Sequence, residues 1–218
     1  MAIETRDVGS FHAISFYAYG DVTIRQGEEE GIKIEADESV LDKLETRVDD
    51  EVLIIRLKAD WLDYMNHILM SGLRGIPIRY EIMVQELDAL KIFGAASVDI
   101  PELQIDTFSL LLGGAGSIQL PALTGSRFKV DLRGAGSITA AGRVMDQHIV
   151  VAGAGSYAGR NLVSERANVA LRGAGSATVH ASDELEVELR GLGSVTYYGQ
   201  PDLRKTISGL GEISHGGE

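Results

Sequence analysis

Apolar and polar residues alternate along short stretches of most of this chain, and a period of two predicts β-strands with one buried face. The alternation is clearest around recurring glycines. Before Gly134, for example, Val130 and Leu132 flank the polar Asp131, and the apolar Ile138 follows the glycine. We therefore expect each recurring glycine to lie between two short strands.

These glycines belong to a tetrapeptide that occurs in seven copies, spaced 18 to 20 residues apart. Four copies read Gly-Ala-Gly-Ser, and the other three are weaker versions. A fixed period over so many copies indicates stacked units, because one unit alone is too small to bury its apolar face. The first residues of the copies are Gly94, Gly114, Gly134, Gly153, Gly173, Gly191 and Gly209.

The length and content of the repeat exclude most repeat folds. A helical solenoid requires helices, and a propeller blade is longer. Leucine-rich repeats need a leucine-and-asparagine pattern, and the calcium-binding nonapeptide repeat needs aspartate in its glycine turn; these copies carry neither. We therefore predict an all-β fold, a single-stranded parallel β-helix (solenoid) with coils of about 19 residues that pair in register.

Aligning the copies makes the glycines corner residues rather than ligand-binding loops. A straight strand would point both glycines inward among large side chains, so a bend is expected at each copy. The predicted corner glycines are Gly94, Gly114, Gly116, Gly134, Gly136, Gly153, Gly155, Gly173, Gly175, Gly191, Gly193, Gly209 and Gly211. The serines beside them are expected to stack as a hydroxyl ladder of Ser97, Ser117, Ser137, Ser156, Ser176 and Ser194.

Residues 1–59 are predicted to start the same β-helix. Phe16 to Ile24 keep the alternation, with Gly20 in the corner role. Residues 32–35 and 52–57 predict longer strands, separated by a short helical turn near residues 39–44 with Ser39 as its cap.

Residues 60–73 break the strand pattern, because Trp61, Met65, Ile68 and Leu69 follow helical spacing. This predicts a helical insertion that caps the rod or forms a flap over it. Residues 74–218 are expected to form the regular coils, and residues 1–218 a single β-helix domain.

The charge balance narrows the range of partners. The chain has 32 acidic and 20 basic residues, and a net charge of −12 repels nucleic-acid phosphates and anionic lipid. It has no cysteine, which removes disulfides, thiolate metal sites and cysteine nucleophiles. The sequence shows neither a signal segment at its start nor an apolar stretch of membrane-spanning length, and it indicates no cofactor.

Three features resemble the bacterial auto-transporter adhesin family called the head GIN domain, over roughly residues 10 to 215. They are the Gly-x-Gly-Ser corners, the opening segment Phe16 to Gly27 (FYAYGDVTIRQG) and the late segment Val195 to Pro201 (VTYYGQP). The resemblance implies a right-handed β-helix and a cell-surface, extracellular or periplasmic module. It brings no catalytic residues. Family members commonly carry a signal or lipid-attachment segment; since none is seen here, a cytoplasmic location stays open.

The usual catalytic and metal motifs are absent from the sequence. Serine near glycine suggests a hydrolase elbow, but the order around Ser156 is Gly-Ala-Gly-Ser-Tyr-Ala-Gly, which does not match Gly-x-Ser-x-Gly. The glycines lie between strands and do not open a helix, which excludes a phosphate cradle. The histidines lack metal-ligand spacing; they are His12, His67, His148, His180 and His215.

Outward positions leave two hypotheses open. Parallel β-helices that cleave polysaccharides carry clustered charges on an exposed face, so a lyase or hydrolase site is one alternative, with Asp131, Arg133, Arg172, Glu188 and Arg190 as its residues. Outward apolar residues predict instead a face for a partner or a second copy, unless residues 60–73 cover it. These residues are Phe93, Leu111, Val150 and Ala170.

We therefore expect a non-catalytic surface or periplasmic module with a binding or structural role, an adhesin that contacts a glycan or protein. The alternatives are the carbohydrate-active enzyme and a self-assembling scaffold rod. The polar ending Ser208 to Glu218 argues against the rod, because it indicates that the last coil is not left open.

Overall fold

The computed structural model describes residues 1–58 and 77–217. In these residues, seventeen strands belong to a single sheet, accompanied by one short α-helix. The strands stack as coils of a β-solenoid with about six turns. The predicted all-β parallel β-helix is confirmed. The predicted helical insertion at 60–73 lies outside the described residues.

The regular coils begin at β8, and several of their strands are much longer than an ordinary strand. Each long strand runs around most of one coil, from one glycine corner to the next. The bounds are β8 Ala89–Ile92, β9 Ala95–Asp99, β10 Leu103–Leu112, β11 Ala115–Leu132, β12 Ala135–Val151, β13 Ser156–Leu171, β14 Ser176–Leu189, β15 Ser194–Tyr198, β16 Asp202–Ile207 and β17 Glu212–His215.

Parallel pairing between successive coils follows the register predicted from the tetrapeptide. Ser117 pairs with Ser137, and Ser137 pairs with Ser156. Each coil has a first half after its corner and a second half before the next corner, with small register shifts between them, as between Leu120 and Leu123. Residues that are paired in this register therefore keep the same inward or outward direction from coil to coil.

The corner glycines lie against the backbone of the preceding coil. A Cβ atom on Gly134 would be less than 3.0 Å from the carbonyl of Gly114, and the other predicted corner glycines meet a comparable obstruction. Gly116 also has a backbone φ of +140°, which residues other than glycine rarely adopt. Stacking distance, rather than ligand chemistry, excludes larger residues from this column.

The N-terminal end departs from this regular stacking. Its elements are β1 Ala2–Arg6, β2 Ala13–Tyr17, β3 Tyr19–Gln26, β4 Gly31–Ala36, α1 Glu38–Leu41, β5 Leu44–Asp49, β6 Val52–Leu57 and β7 Arg79–Val84. β2 pairs with both β6 and β8, and β3 pairs with both β7 and β9, all in parallel. The first coil of the chain therefore lies between two coils formed later in the sequence, and Gly20 aligns with the corner residue Ala96 as predicted.

Antiparallel strands close this end of the stack. β4 lies antiparallel to β7 and β1 antiparallel to β4, while β5 lies antiparallel to β6. A two-residue turn joins β5 to β6 at Asp50 and Glu51, which have φ angles of 47° and 60°. Positive φ at both positions is typical of the tight hairpin turn that suits strand twist.

Two local predictions at this end were wrong. The short helix is capped by Asp37 rather than Ser39: the Asp37 carboxylate accepts hydrogen bonds from the Ser39 backbone N–H at 3.0 Å and from its hydroxyl at 2.6 Å. Leu44 begins strand β5 and does not end the helix. The carboxylate precedes the first helical residue, where it can satisfy a free N–H group, and this position favours it as the cap.

A single apolar core runs through the stack, from Phe11 near one end to Val195 near the other. At the N-terminal end it contains large rings: Phe16 packs edge-to-face on Tyr80, with ring centroids 5.1 Å apart. In the regular coils it is formed by inward columns such as Val130, Ile149 and Val169. In the last coil this column ends in Lys205, which is exposed.

Candidate functional site

The front face is the outward surface of the second coil halves, residues 107–112, 127–132, 146–151, 166–171, 184–189 and 202–207. Polar side chains stand on it in two adjacent rows, with neighbouring members of a row about 4.8 Å apart. The outer row is Thr107, Arg127, Asp146, Arg166, Glu184 and Asp202, and the inner row is Ser109, Lys129, His148, Asn168, Glu186 and Arg204.

A groove of about 230 Å³ lies between these rows, and we call it the front groove. Its walls come from five coils, with Arg127 near one end and Arg204 near the other. The floor is the inward column beneath, where Ala167 and Leu185 are both at most 5% exposed. Because the wall residues come from five successive coils, the groove exists only when the coils are stacked.

Paired polar side chains occupy the middle of the groove. The Arg166 guanidinium donates to the Asp146 carboxylate at 2.6 Å, and the Asn168 amide donates to Glu186 at 2.8 Å. The hydrogen bond to Asp146 raises the pKa of the Arg166 guanidinium, which is charged at any physiological pH. These pairs hold hydrogen-bond donors and acceptors side by side above an apolar floor. This arrangement is suited to binding the hydroxyl groups of a ligand.

A buried polar network supports the floor from inside the rod. Gln147 is only 2% exposed, and its amide donates to the Ser164 hydroxyl at 2.8 Å and to the His180 carbonyl at 3.1 Å. The Tyr157 hydroxyl donates to the Gln147 carbonyl oxygen at 3.1 Å, and burial raises the pKa of this phenol. The network spans three coils beside the register shift between Ser164 and Arg166.

The ends of the groove differ in charge. Arg127 lines one end and Lys129 stands beside it on the same coil; both are exposed, and neither forms an ion pair or side-chain hydrogen bond with another described residue. The other end carries three carboxylates, Glu184, Glu186 and Asp202, together with the single cation Arg204. Three coil spacings, about 14 Å, separate the coil of Arg127 from that of Glu184.

The five residues of the predicted enzyme site lie outside the groove: Asp131 and Glu188 are on the front face, and Arg133, Arg172 and Arg190 directly follow its strands. Asp131 accepts hydrogen bonds from Arg133, which directly follows the same strand, the shortest at 2.6 Å, and this bond raises the pKa of the Arg133 guanidinium. Glu188 pairs with Arg190, which directly follows its strand, and with Arg172 of the neighbouring coil at 3.6 Å. The two carboxylates are three coils apart, about 14 Å, which exceeds the roughly 5–9.5 Å found in paired glycosidase carboxylates.

The four apolar residues predicted as a partner face do not form one exposed surface. Ala170 is only 6% exposed, Leu111 and Val150 are half-buried, and Asp131 stands between those two in the column. Phe93 is 44% exposed and stacks on Tyr17, with centroids 4.8 Å apart. Of the four predicted residues, only Phe93 is therefore exposed, and it forms a ring pair with Tyr17.

The other candidate side chains have structural partners. His12 lies between Glu51 and Asp88, and the rings of His180 and His215 contact backbone carbonyls. His67 lies outside the described residues. Among the described residues, no group of three histidines or carboxylates is arranged to hold a metal ion. The corner serines stack in register, but within residues 1–58 and 77–217 no hydrogen bond joins one of their hydroxyls to the next.

The family model for "Putative auto-transporter adhesin, head GIN domain" matches residues 10–201 of the chain. The chain belongs to the head GIN domain family. This match confirms the family resemblance that the glycine corners indicated. A separate search of curated protein sequences found none that matches this head GIN domain.

Solved structures show the same fold in three proteins similar to this head GIN domain. A putative adhesin from Bacteroides fragilis superposes with a TM-score of 0.88 at 18% identity, covering 98% of this chain and 96% of its own. A putative lipid binding protein from Parabacteroides distasonis gives 0.74 at 19% identity, with coverages of 98% and 96%. A putative adhesin from Parabacteroides merdae gives 0.65 at 19%, with coverages of 98% and 95%.

Sequence reasoning missed the front groove of this head GIN domain. The outward rows were visible as polar positions, but the floor depends on Ala167 and Gln147 taking places that Phe108 and Phe128 fill in earlier coils. Comparison of this inward column across the repeats would have shown the change.

In the described residues no helix is long and apolar enough to cross a membrane.

Proposed function

We propose that this protein is a non-catalytic, adhesin-like module of the bacterial cell surface that binds a glycan in the front groove. Membership of the head GIN family supports the adhesin-like role and the surface location. The observation that supports a ligand in this groove is the row of paired donors and acceptors, Arg166 with Asp146 and Asn168 with Glu186, above an apolar floor.

The geometry suits binding better than catalysis. Carboxylates of the candidate enzyme residues are held in ion pairs and lie three coils apart, about 14 Å. A glycosidase needs two carboxyl groups that face one glycosidic bond from opposite sides. The front groove, with its fixed polar side chains, offers instead many weak hydrogen bonds to a long ligand.

The test is a glycan array with the full chain, followed by calorimetric titration of the glycans that bind. We expect Arg166→Ala and Asn168→Ala each to weaken binding about tenfold, because each removes hydrogen bonds from the middle of the groove. Arg56→Ala is the matched control, since Arg56 makes a similar cross-strand ion pair with Glu45 at 2.9 Å, away from the groove. Unchanged affinity in both groove variants would contradict the proposed site.

Turnover assays on the same glycans separate this function from the enzymatic one. We expect binding without product. Product formation that disappears in Asp131→Ala or Arg172→Ala would replace the proposed function with a carbohydrate-active enzyme.

A further inference from the structure

We propose that the ligand of the front groove is an acidic glycan, whose anionic group binds the cationic pair of Arg127 and Lys129. This inference rests on the proposed function and adds the ligand class. The two residues lie two positions apart on β11, so both side chains point outward on the same coil. Two exposed cations side by side are the local chemistry that recognises a carboxylate or sulfate.

The nearby carboxylates do not neutralise the cationic pair. Asp146 lies beside Arg127 in the outer row, yet it accepts its hydrogen bond from Arg166 at 2.6 Å. Asp131 follows Lys129 on the same strand face, and it is bound to Arg133 at 2.6 Å. Both aspartates are therefore paired with other cations, and Arg127 and Lys129 are exposed without an ion pair of their own.

The remaining neighbours of the pair are uncharged or weakly basic. On the preceding coil, Thr107 is the register partner of Arg127 and Ser109 that of Lys129. On the following coil, His148 is the register partner of Lys129. Hydroxyl and imidazole groups can hydrogen-bond to an anion or to sugar hydroxyls without repelling either. Apart from Asp146, the acidic residues of the groove are Glu184, Glu186 and Asp202, which lie about 14 Å or more away along the coil axis. An acidic glycan would therefore bind with its anionic group at the Arg127 end.

A glycan fits this groove better than an acidic peptide. Extended peptides commonly bind by adding a strand to a free sheet edge, but the groove strands β11 to β14 each have a paired strand on both sides. Among the described groove strands, β16 is paired on one side only, and it lies at the Arg204 end, four coil spacings from the cationic pair. The groove also lacks a deep apolar pocket for a side-chain anchor, since its floor is the closed surface over Ala167 and Leu185.

The net charge of −12 does not prevent this binding at physiological ionic strength. Charges farther than about 8 Å are largely screened at 0.15 M salt, so an approaching anion responds mainly to nearby charges, among which Asp146 and Asp131 are ion-paired and Arg127 and Lys129 are not. Contacts with exposed charges nevertheless weaken as salt rises. We therefore expect the affinity for acidic glycans to fall between 0.15 M and higher salt.

The experiment compares acidic glycans with neutral partners of the same backbone. The acidic probe hexagalacturonate is compared with its neutral methyl ester, and the acidic α2,3-sialyllactose with neutral lactose. A hexapeptide of glutamate is added as an acidic probe that is not a glycan. We expect at least one acidic glycan to bind about tenfold more tightly than its neutral partner. The double variant Arg127→Gln/Lys129→Gln should lose about that factor, because it removes both charges and keeps polar side chains.

A second double variant controls for net charge. Arg25→Gln/Arg143→Gln removes two exposed, unpaired cations outside the front groove and should leave the affinity within about twofold. The inference is overturned if no acidic glycan binds, if the hexapeptide binds more tightly than the glycans, or if both double variants weaken binding equally. If neutral glycans bind and Arg166→Ala abolishes that binding, the proposed function stands while this inference falls. If no glycan binds, both fall.

Discussion

Successive coils pack against each other differently in the regular coils and at the N-terminal end. In the coils from β10 to β14 the backbones of successive units approach closely at the corners, and glycine is the residue that fits. At the N-terminal end, β4 and β5 reverse direction and the space is filled by rings such as Phe16 and Tyr80. Close contact between backbones requires glycine at fixed intervals, so it can be seen as a sequence repeat. Packing by large side chains can be seen in the sequence only as apolar residues.

The largest expected effect comes from placing a side chain in the glycine column. In Gly134→Val the new Cβ atom would lie less than 3.0 Å from the carbonyls of the preceding coil, with no flexible side chain to move aside. We expect destabilisation on the order of 4 kcal/mol or more, seen as loss of soluble protein or a large fall in the melting temperature by circular dichroism.

Gly31→Val is the matched control at the N-terminal end. Gly31 begins β4, and a Cβ atom there meets nothing within 4 Å. Its melting temperature should stay within a few degrees of the parent protein. Equal damage from both substitutions would remove the distinction between the two regions.

The second largest effect tests whether the N-terminal end unfolds together with the coils. Phe16→Ala removes a fully buried ring that packs on Tyr80, and such truncations cost about 3–5 kcal/mol. Because the first coil contacts both β6 and β8, we expect one transition for the whole molecule in urea. Separate transitions by tyrosine absorbance and by circular dichroism would show that the two regions unfold independently. Leu203→Ala, at a half-buried position of the last coil, should cost much less.

Two buried tyrosines, one in each region, give a smaller and more selective comparison. The Tyr157 hydroxyl donates to Gln147 at 3.1 Å inside a closed network, whereas the Tyr80 hydroxyl reaches the Tyr19 carbonyl only at 3.4 Å. Tyr157→Phe leaves a buried amide oxygen without its donor and should cost about 1–2 kcal/mol. Tyr80→Phe should change the free energy of unfolding by less than about 0.5 kcal/mol. A larger loss for Tyr80→Phe would reverse this ranking.

The smallest effect is invisible at neutral pH and appears on alkaline titration. Burial raises the pKa of both Tyr80 and Tyr157, so each phenol keeps its proton in the folded state after exposed tyrosines have ionised. The stability that this provides is complete below about pH 10, the unfolded pKa, and declines as the pH rises above it. Ultraviolet titration should show a delayed component that disappears in the double Tyr80→Phe/Tyr157→Phe variant. A double variant with the same titration curve as the parent would contradict the burial effect.

The sequence was sufficient for the coils because their constraint is local and repeated. The interval between glycines and the parity of Val130 and Leu132 predicted both the strands and their register with the next coil. Gly20 was placed correctly for the same reason. Its stacking partners were not predictable, because alternation in β2 does not indicate that residues 52–57 will lie on one side and residues 89–92 on the other.

The hairpin between β5 and β6 and the front groove show two further limits of the pattern. Asp50 and Glu51 adopt positive φ without a glycine to indicate the turn. The groove arises where Ala167 follows Gln147 in a column that starts with two phenylalanines, and single changes of this kind do not disturb the period-two pattern. Outward rows were predictable as polar, but the pairing of Asp146 with Arg166, which leaves Arg127 free, depends on side-chain geometry.

The position of the first coil also bears on how the molecule is assembled during synthesis. Residues 13–26 leave the ribosome early, but one of their neighbouring coils is completed only at residue 84 and the other at residue 99. This segment therefore cannot act as a finished template to which later coils add one by one. Stacking can begin in any group of adjacent repeats. In this protein coils are added on both sides of residues 13–26, toward the antiparallel strands β4 and β5 and toward Lys205.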